Sequence, residues 1–392
     1  MKKLLAIMLA ISLLILGIAA YADTEEDITS EEDNTSTDVF ADISVNAKSA
    51  VLMEAKTGKV LFSQNEDYYN SPASVTKIMT LLLVCEALDE GKFRLEDEVS
   101  ISEYASSMGG SQVFLKEGER LTVEELIKCT VIASANDAAV ALAELTEGSE
   151  EAFVNKMNKK ATELGLKKTS FENVTGLDDT TVNHYTSALD IAVMSRELIK
   201  YPIITKYSSL WQDSIRDGEF ILTNTNRLVR FYQGCNGLKT GSTDKAGYCI
   251  SVSAKRGNLE LIAVIMNSES ITERNNAART LLDFGFANYA LYEQSERFLE
   301  KVPVYSGTKD TTDAYSKEFV SVVPKSDINK IECIYNIPEN ISAPCKKGDK
   351  IGTVSYKIGD TVIGESEIYA GADIEKITVF GLFAKIVRGI FA

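Results

Sequence analysis

The chain has 392 residues, of which 45% are hydrophobic and 25% charged, a composition typical of globular proteins. This length predicts two to three domains of roughly 150 residues each. The formal net charge of −16 argues against nucleic acid as a partner, because phosphate binding needs clustered Lys and Arg. His184 is the single histidine, which argues against a multi-histidine metal site. We therefore expect no metal and no cofactor.

The first 22 residues have the order of a secretory signal peptide. Lys2 and Lys3 precede an apolar run at residues 4–20, and Ala20-Tyr21-Ala22 fits a small-x-small cleavage site. An uncleaved N-terminal anchor is the alternative, and both interpretations place the rest of the chain outside the cytoplasm. Residues 23–40 hold eight acidic residues and no basic one, which predicts a solvated, disordered linker.

The middle of the chain alternates strand and helix patterns. Residues 50–62 predict a hairpin that turns at Lys56-Thr57-Gly58-Lys59. Thr122 and Glu125 have the spacing of a capping box, which predicts a helix from there to residue 131. Apolar residues at helical spacing predict further helices at residues 76–88, 137–145, 150–164, 187–200 and 273–284. Residues 248–254 and 259–266 predict a second hairpin.

The remaining residues show two different sequence patterns. Short β-rich runs at residues 301–305, 319–323, 331–335, 351–356 and 361–368 predict a small all-β domain. In residues 373–392, Thr378, Gly381, Lys385 and Arg388 share one helical face and apolar residues fill the rest. This pattern predicts an amphipathic helix at a membrane surface. The alternative is a helix packed on the protein's own core.

The cysteines are too sparse for a disulfide framework. They are Cys85, Cys129, Cys235, Cys249, Cys333 and Cys345, and the absence of a CxxC pattern gives no support to zinc or thioredoxin chemistry. Cys235/Cys249 and Cys333/Cys345 could pair in an oxidising compartment, and the sequence leaves this open.

Ser74 and Lys77 carry the first chemical signal. They stand at i and i+3 at the start of a predicted helix, so they share a face. A serine hydroxyl needs a base to become a nucleophile, and a lysine can be that base when burial and nearby cations lower its pKa. The helix N-terminus also offers free N–H groups to a developing oxyanion.

Two further motifs raise the specificity of this pair. Ser134-Ala135-Asn136 lies between two predicted helices, and Lys239-Thr240-Gly241 lies just before the strand predicted near Tyr248. Each motif is weak alone. Second copies of each occur at Ser242/Lys245, at Ser63/Asn65 and at Lys56-Thr57-Gly58. The ordered set of three is much more specific, and it is the combination found in penicillin-binding proteins and class A β-lactamases.

On these residues the chain resembles the serine D-alanyl-D-alanine carboxypeptidases, the low-molecular-mass penicillin-binding proteins. The resemblance covers most of the chain and is strongest at residues 71–77, 107–110, 130–138 and 237–242. It implies an α/β (α+β) catalytic domain at residues 41–292, with an antiparallel sheet flanked by helices. A small all-β domain at 293–370 and an anchor helix at 371–392 would follow. The enzyme would act at the outer face of the cell membrane.

The resemblance also implies a reaction. Ser74 would attack the terminal D-Ala-D-Ala bond of a peptidoglycan stem peptide, with Lys77 taking its proton. Ser134, with Lys239 nearby, would pass a proton to the leaving D-alanine. Asn136 would hold the substrate's backbone amide. β-Lactam antibiotics would mimic the dipeptide and block Ser74.

The remaining implied residues bind the substrate. The N–H groups of Ser74 and Ser242 would form the oxyanion hole beside Gly241. Thr240 and Arg274 would bind the terminal carboxylate, which suits a carboxypeptidase because it selects a free chain end. The pattern departs from that of some relatives at Thr225, where a second carboxylate-binding arginine would stand; Arg227 follows two residues later.

Two other functions remain open at this point. A β-lactamase would need a deacylating Glu ahead of an Asn before the KTG, and Glu172-Asn173 is the nearest candidate, without the expected Glu-x-x-Asn spacing. A non-catalytic cell-wall scaffold protein could keep the same fold. His184 is the rival base, but its setting before a predicted helix indicates a structural turn residue.

Overall fold

The computed structural model describes residues 43–391. The predicted signal peptide and acidic linker lie outside the described residues. The strands are β1 (Ser49–Glu54), β2 (Val60–Gln64), β3 (Glu98–Ser100), β4 (Arg120–Thr122), β5 (Gln212–Ile215), β6 (Phe220–Thr223), β7 (Cys235–Thr243), β8 (Gly247–Arg256), β9 (Leu259–Ser268), β10 (Tyr289–Gln294), β11 (Arg297–Tyr305), β12 (Thr311–Ser316), β13 (Phe319–Pro324), β14 (Ile331–Asn336), β15 (Ile341–Ser342), β16 (Lys350–Ile358) and β17 (Thr361–Ala370).

Helices occupy most of the segments between β2 and β10. The α-helices are α1 (Lys77–Asp89), α2 (Glu103–Ser106), α3 (Val123–Ile132), α4 (Asn136–Glu147), α5 (Glu150–Glu163), α6 (Ala188–Leu198), α7 (Pro202–Ser208), α8 (Leu228–Phe231), α9 (Ile271–Asn288) and α10 (Val379–Phe391). Short 3₁₀ turns lie at Ala73–Thr76, Arg216–Gly218 and Ile328–Lys330. The five helices predicted by periodicity between residues 76 and 284 are confirmed, and Thr122 and Glu125 form the predicted capping box.

The first part of the molecule is an antiparallel sheet with helices packed on it. The sheet has the order β2-β1-β9-β8-β7, so β7 is an edge strand, and both predicted hairpins are part of it. Helices α6 and α9 pack against β9 and β1. The mixed helix and antiparallel-sheet fold class is therefore confirmed. The β5–β6 hairpin and strand β7 were not predicted from the sequence.

Helix α1 is the centre of the helical layer. Every residue from Lys77 to Cys85 is buried, so no face of this part of the helix is exposed to water. A helix that is apolar on all sides belongs in a core, and α1 contacts α3, α4, α5 and α6. The same burial takes the amine of Lys77 out of water.

The second part is all-β, as predicted. Strands β10 and β13 pair, and a second sheet has the order β14-β16-β17-β12-β11-β15. Phe319 stacks on Tyr356 with ring centroids 3.8 Å apart, over a core that contains Val302, Val354 and Ile368. Strand β10 crosses the boundary predicted between residues 292 and 293, and it pairs with a strand beyond that boundary.

The C-terminal helix is shorter than predicted. Residues 373–378 are not helical, because Ile374 and Lys376 make bridges to Cys345 and Gly307. Helix α10 then begins at Val379. Within residues 43–391, the structure contains no helix with the length and apolar character needed to cross a bilayer.

All six cysteines lie in the described part of the chain, and all are free thiols. Cys235 lies opposite Ala254 in the β7–β8 ladder, whereas Cys249 lies opposite Gly241. The register therefore separates the two sulfur atoms along the ladder, beyond the reach of a disulfide.

Candidate active site

The nucleophile candidate lies in a strained turn. Pro72 precedes the 3₁₀ turn Ala73–Thr76, and Lys77 begins α1 directly after it. Ala73 has a φ of 48°, a left-handed conformation that costs a residue with a side chain free energy. Lys77 Nζ lies 3.0 Å from Ser74 Oγ. The predicted helical spacing thus brings the two groups together.

The amine of Lys77 is fully buried. Nζ lies 2.5 Å from Asn136 Oδ1 and 2.9 Å from the carbonyl oxygen of Thr175. Burial, reinforced by the positive charge of Lys239, holds the pKa of Lys77 well below its ordinary value. A neutral amine has two N–H groups and one lone pair. When the amine is neutral, these two oxygens can accept its two N–H groups, which leaves the lone pair available to the hydroxyl of Ser74.

The second motif follows the end of α3. Ser134 has a φ of 64°, and this left-handed conformation turns the chain so that α4 begins at Asn136. Ser134 Oγ lies 2.7 Å from Lys239 Nζ. Asn136 Nδ2 donates to the carbonyl oxygen of Gly109 at 2.7 Å. Asn136 therefore fixes both Lys77 and the loop that contains Gly109.

The third motif lies within a strand, not before one. Lys239, Thr240 and Gly241 belong to edge strand β7, which pairs with β8. Lys239 is 1% exposed. Burial, together with the charge of Arg274, lowers the pKa of Lys239 to about 7. This lysine can therefore gain or lose a proton near neutral pH.

Strand β7 touches the turn that contains Ser74. A Cβ atom at Gly241 would lie 2.9 Å from Ser74 N, 2.9 Å from Pro72 O and 3.0 Å from Val75 N. Real Cβ atoms rarely approach backbone that closely, so only glycine allows this contact between strand and turn. The amide of Ser74 is thereby held beside the residues that follow Gly241.

The three motifs meet at one cleft of about 460 Å³. Its wall includes six of the predicted site residues: Ser74, Ser134, Thr240, Gly241, Ser242 and Arg274. Trp211 and Tyr248 also line it. The other predicted residues lie behind this wall: Lys77 contacts Ser74, Lys239 contacts Ser134, and Asn136 contacts Lys77.

Arg274 lies at one side of the cleft and is 4% exposed. Its guanidinium donates to Asn275 Oδ1 and to the carbonyl oxygen of Cys249. Burial lowers the pKa of Arg274 to about 10, so the group stays cationic at neutral pH. Thr240 Oγ1 donates to Thr225 Oγ1 at 2.8 Å, and Arg227 lines the same cleft. The cleft therefore has two guanidinium groups near Thr240.

Sequence reasoning missed the groups that hold this site in place. Asp137 accepts from the amides of Val113 and Leu115, and Arg216 donates to the carbonyl oxygen of Val113 at 3.0 Å while pairing with Glu119. Asp137 and Arg216 together hold the loop that contains Gly109 against the start of α4. Only the position of Asp137, next to Asn136, gave a signal in the sequence.

The rival catalytic residues have structural partners. His184 is 2% exposed, and burial lowers its pKa to about 4. Its Nδ1 accepts from the amide of Glu172, which leaves Nε2–H to donate to Thr76 Oγ1 at 2.9 Å. The carboxylate of Glu172 accepts from the amides of Val182 and Asn183. Neither side chain is aimed at Ser74, which disfavours a β-lactamase mechanism through Glu172.

Ser242 of the second SxxK copy lies at the cleft, whereas the other residues of the second copies lie elsewhere. Lys56, in the turn between β1 and β2, forms an ion pair with Glu293 at 2.8 Å, and Ser63 is exposed on β2. Lys245 is also exposed. Position in the fold, and not the local pattern, separates these copies from the ones at the cleft. Among residues 43–391, no group of three or more His, Cys, Asp or Glu side chains could hold a metal ion.

Known proteins share this arrangement. Residues 33–270 match the family model described as D-alanyl-D-alanine carboxypeptidase. The chain belongs to the D-alanyl-D-alanine carboxypeptidase family. Residues 286–376 of the carboxypeptidase match the model of the penicillin-binding protein 5 C-terminal domain. The chain is 45% identical over 385 residues to D-alanyl-D-alanine carboxypeptidase DacF of Bacillus subtilis, covering 96% of this chain and 95% of that protein.

Solved structures agree with this assignment. Penicillin-binding protein 5 from Haemophilus influenzae superposes with a TM-score of 0.76 at 31% identity, covering 86% of this chain and 100% of that one. Penicillin-binding protein D2 from Listeria monocytogenes, solved in an ampicillin-bound form, gives 0.58 at 28% identity over 63% of this chain and 100% of that one. The carboxypeptidase is thus a serine peptidase, and the non-catalytic scaffold is not favoured.

Protonation of Lys239 should be visible in the stability of the enzyme. A lysine pKa of about 7 in the folded protein, against about 10.4 unfolded, means that the folded state binds fewer protons between these pH values. Unfolding then takes up a proton, so the free energy of unfolding rises with pH in this window, by up to ~1.4 kcal/mol per pH unit for each such lysine. Lys239→Met should remove one such contribution from the slope.

Urea denaturation followed by the fluorescence of Trp211, the single tryptophan, measures this slope between about pH 7 and about pH 9. Exposed Lys245 provides the control: Lys245→Met should keep the wild-type slope. If the free energy of unfolding has the same dependence on pH in wild type and Lys239→Met, Lys239 does not lose its proton in the folded enzyme within this pH range.

Proposed function

We propose that Ser74 forms the acyl-enzyme of a D-Ala-D-Ala carboxypeptidase and that neutral Lys77 is its general base. The observation that carries this proposal is the buried Nζ of Lys77, which lies 3.0 Å from Ser74 Oγ and within hydrogen-bond distance of Asn136 Oδ1 and the carbonyl oxygen of Thr175. General-base catalysis of this kind contributes about 10²–10⁴ in rate.

Acylation takes place at the cleft through a tetrahedral intermediate. Ser74 Oγ attacks the carbonyl carbon of the terminal D-Ala-D-Ala bond of a peptidoglycan stem peptide, and its proton passes to Lys77. The amides of Ser74 and Ser242 donate to the developing oxyanion. The contact of Gly241 with Ser74 N supports this pairing. One such donor is worth ~3 kcal/mol of the barrier.

Collapse of the tetrahedral intermediate needs a proton on the leaving amine. Ser134 supplies it, and protonated Lys239 at 2.7 Å replaces the proton on Ser134. A pKa of about 7 suits this exchange, because a catalytic acid works best when its pKa lies near the operating pH. Water then hydrolyses the acyl-enzyme, Ser74 Oγ regains its hydrogen and the shortened stem peptide is released. The proton taken up by Lys77 is restored to Lys239, which returns both lysines to their starting states.

Substrate selection uses the cationic side of the cleft. Thr240 and Arg274 bind the terminal carboxylate. Some relatives have a second arginine where this chain has Thr225, and Arg227, two residues later, supplies that positive charge here. Both polar atoms of the Asn136 side chain are engaged within the protein, but Nδ2 has a second hydrogen that can donate to the substrate's backbone. The ampicillin-bound relative supports the further proposal that β-lactams acylate Ser74.

Release of D-alanine from a pentapeptide ending in D-Ala-D-Ala tests this function. Wild type should release D-alanine, and Ser74→Ala should lose at least about 10³-fold in rate, because the covalent route is removed. Ser63→Ala, at the exposed second motif copy, should behave as wild type. Equal rates for wild type and Ser74→Ala would overturn the assignment of Ser74.

We further propose that a signal peptide at residues 1–22 and an acidic linker at 23–40 precede the catalytic domain, and that α10 anchors the enzyme at the outer face of the membrane. The division into catalytic, all-β and anchor parts at residues 41–292, 293–370 and 371–392 belongs to the same proposal. Its support is the exposed apolar surface of α10: Val379 is 84%, Phe380 90% and Phe383 69% exposed. Helical faces of this kind bind the interface of a bilayer.

Sedimentation with phosphatidylglycerol vesicles tests the anchor. Phe380→Ser combined with Phe383→Ser should lower the vesicle-bound fraction at least about tenfold, because burial of each phenyl ring contributes roughly 1.5–3 kcal/mol. Release of D-alanine from a soluble pentapeptide should not change. Undiminished sedimentation of the double variant would contradict the anchor.

A further inference from the structure

Asp178 joins two segments of the active site that are far apart in the sequence. Its Oδ2 accepts a hydrogen bond from Ser71 Oγ at 2.9 Å and another from Thr243 Oγ1 at 2.5 Å. Asp178 is half-buried, and within the described residues it forms no ion pair. Its carboxylate is therefore committed to these two hydroxyl groups.

The two hydroxyl groups flank the proposed oxyanion hole. Ser71 stands three residues before Ser74, and Thr243 directly follows Ser242. One carboxylate oxygen thus links the segment that supplies the first oxyanion donor to the strand that supplies the second. The side chain of Thr243 also accepts from the amide of Ala246, which fixes the turn after β7.

The loop of Asp178 has its own fixed position. Thr175, in the same loop, supplies the carbonyl oxygen that accepts from Lys77. Gly176 has a φ of +82°, and a Cβ there would meet the carbonyl oxygen of Ala73 at 1.7 Å. The loop is therefore packed directly on the turn that contains Ser74, so Asp178 cannot move without that turn.

We propose that Asp178 is a positioning residue that sets the separation between the amides of Ser74 and Ser242. The inference rests on the proposed function of these amides as the oxyanion hole. Gly241 brings strand β7 into contact with the turn that contains Ser74. Asp178 links the same two segments through its hydrogen bonds to Ser71 and Thr243. Oxyanion stabilisation needs donors held at the position of the developing charge, and a misplacement of about 1 Å can cost 10²-fold in rate.

The test compares Asp178→Ala and Asp178→Leu with the wild-type full chain. We measure the rate of acylation by a fluorescent penicillin, counted per active site titrated, so that misfolded protein does not enter. Both variants should acylate at least about tenfold more slowly. A peptidyl boronic acid, whose tetrahedral adduct places an oxygen in the oxyanion hole, should bind more weakly by a similar factor.

Two further variants separate positioning from general stability. Asp179→Ala, at the exposed neighbouring position, should acylate at the wild-type rate. Ser71→Ala should slow acylation, and the double variant with Asp178→Ala should be no slower than Asp178→Ala alone, because both changes break the same hydrogen bond.

The outcomes are distinct. Acylation of both Asp178 variants within twofold of the wild-type rate, or additive losses of rate in the double variant, would show that Asp178 does not position the two segments. If Asp178→Ala does not fold, Asp178→Leu, which fills the space of the side chain but has no acceptor oxygen, decides the matter. A wild-type enzyme that penicillin does not label would instead overturn the proposed function itself.

Discussion

Lys77→Met should lower the rate of acylation by about 10³–10⁴-fold while the enzyme stays folded. Methionine fills the buried space of the lysine stem, and it removes the lone pair that faces Ser74 Oγ at 3.0 Å. Loss of a positioned general base costs about 10²–10⁴ in rate, and His184, the rival base, is bonded to Thr76 and Glu172 instead of Ser74. Stopped-flow acylation by a fluorescent penicillin measures the loss.

Two control variants define the origin of this loss. Lys77→Arg keeps the stem but puts a permanent cation in its place, and it should be as slow as Lys77→Met. Lys245→Met changes the exposed lysine of the second SxxK copy and should leave the rate unchanged. A Lys77→Met enzyme that acylates within tenfold of wild type would show that another group takes the proton of Ser74.

Gly241→Ala should lower kcat by about 10²-fold or more, although it adds a single methyl group. That methyl would lie 2.9 Å from both Ser74 N and Pro72 O, and backbone atoms cannot turn away as a side chain can. Strand β7 must then move off the turn, which opens the proposed oxyanion hole; losing one oxyanion donor costs about 10²–10³ in kcat. Steady-state release of D-alanine from a pentapeptide measures kcat and KM.

The matched control is Gly257→Ala. Gly257 has a φ of +63° and open space where the methyl would be, in the turn between β8 and β9. That substitution should cost about 1 kcal/mol of stability but leave kcat unchanged. If Gly241→Ala and Gly257→Ala have the same kcat, the close contact of β7 with Ser74 does not matter for the reaction.

The local parts of the site could be predicted from the sequence. A hydroxyl and an amine at i and i+3 share a helical face, and the structure places Ser74 and Lys77 in contact accordingly. The capping box at Thr122, the helix periods and the β-rich texture after residue 300 are also local signals, since each depends on spacing along one segment. Family resemblance then indicated that the second and third motifs meet the first at one cleft.

The remaining contacts join segments that no local pattern relates. Strand β7 was missed because the small and polar residues Gly237, Thr240 and Gly241 dilute its apolar pattern, although the pairing with β8 buries it. Asp178 is separated by more than 60 residues from Thr243 and by more than 100 from Ser71. Arg216 lies in a turn that nothing in its neighbourhood connects to the loop at Val113. Such partners follow from the fold, which spacing alone does not determine.

The C-terminal helix shows the same limit. Its apolar residues include Ile374 and Ile377, which have helical spacing, and periodicity therefore predicted a helix from residue 373. Bridges from Ile374 to Cys345 and from Lys376 to Gly307 compete with helical hydrogen bonds there, so the helix begins at Val379. Tertiary pairing outweighs helix propensity at this position.

Peptide mapping after incubation with benzylpenicillin tests the central claim most directly, because it identifies the residue that attacks the β-lactam. The folded enzyme should gain the mass of one penicillin molecule, and the added mass should be found on the peptide that contains Ser74. Lys77→Met should gain almost none in the same time, whereas Lys245→Met should be labelled like wild type. A label on any other residue, or equal labelling of wild type and Lys77→Met, would contradict activation of Ser74 by a neutral Lys77.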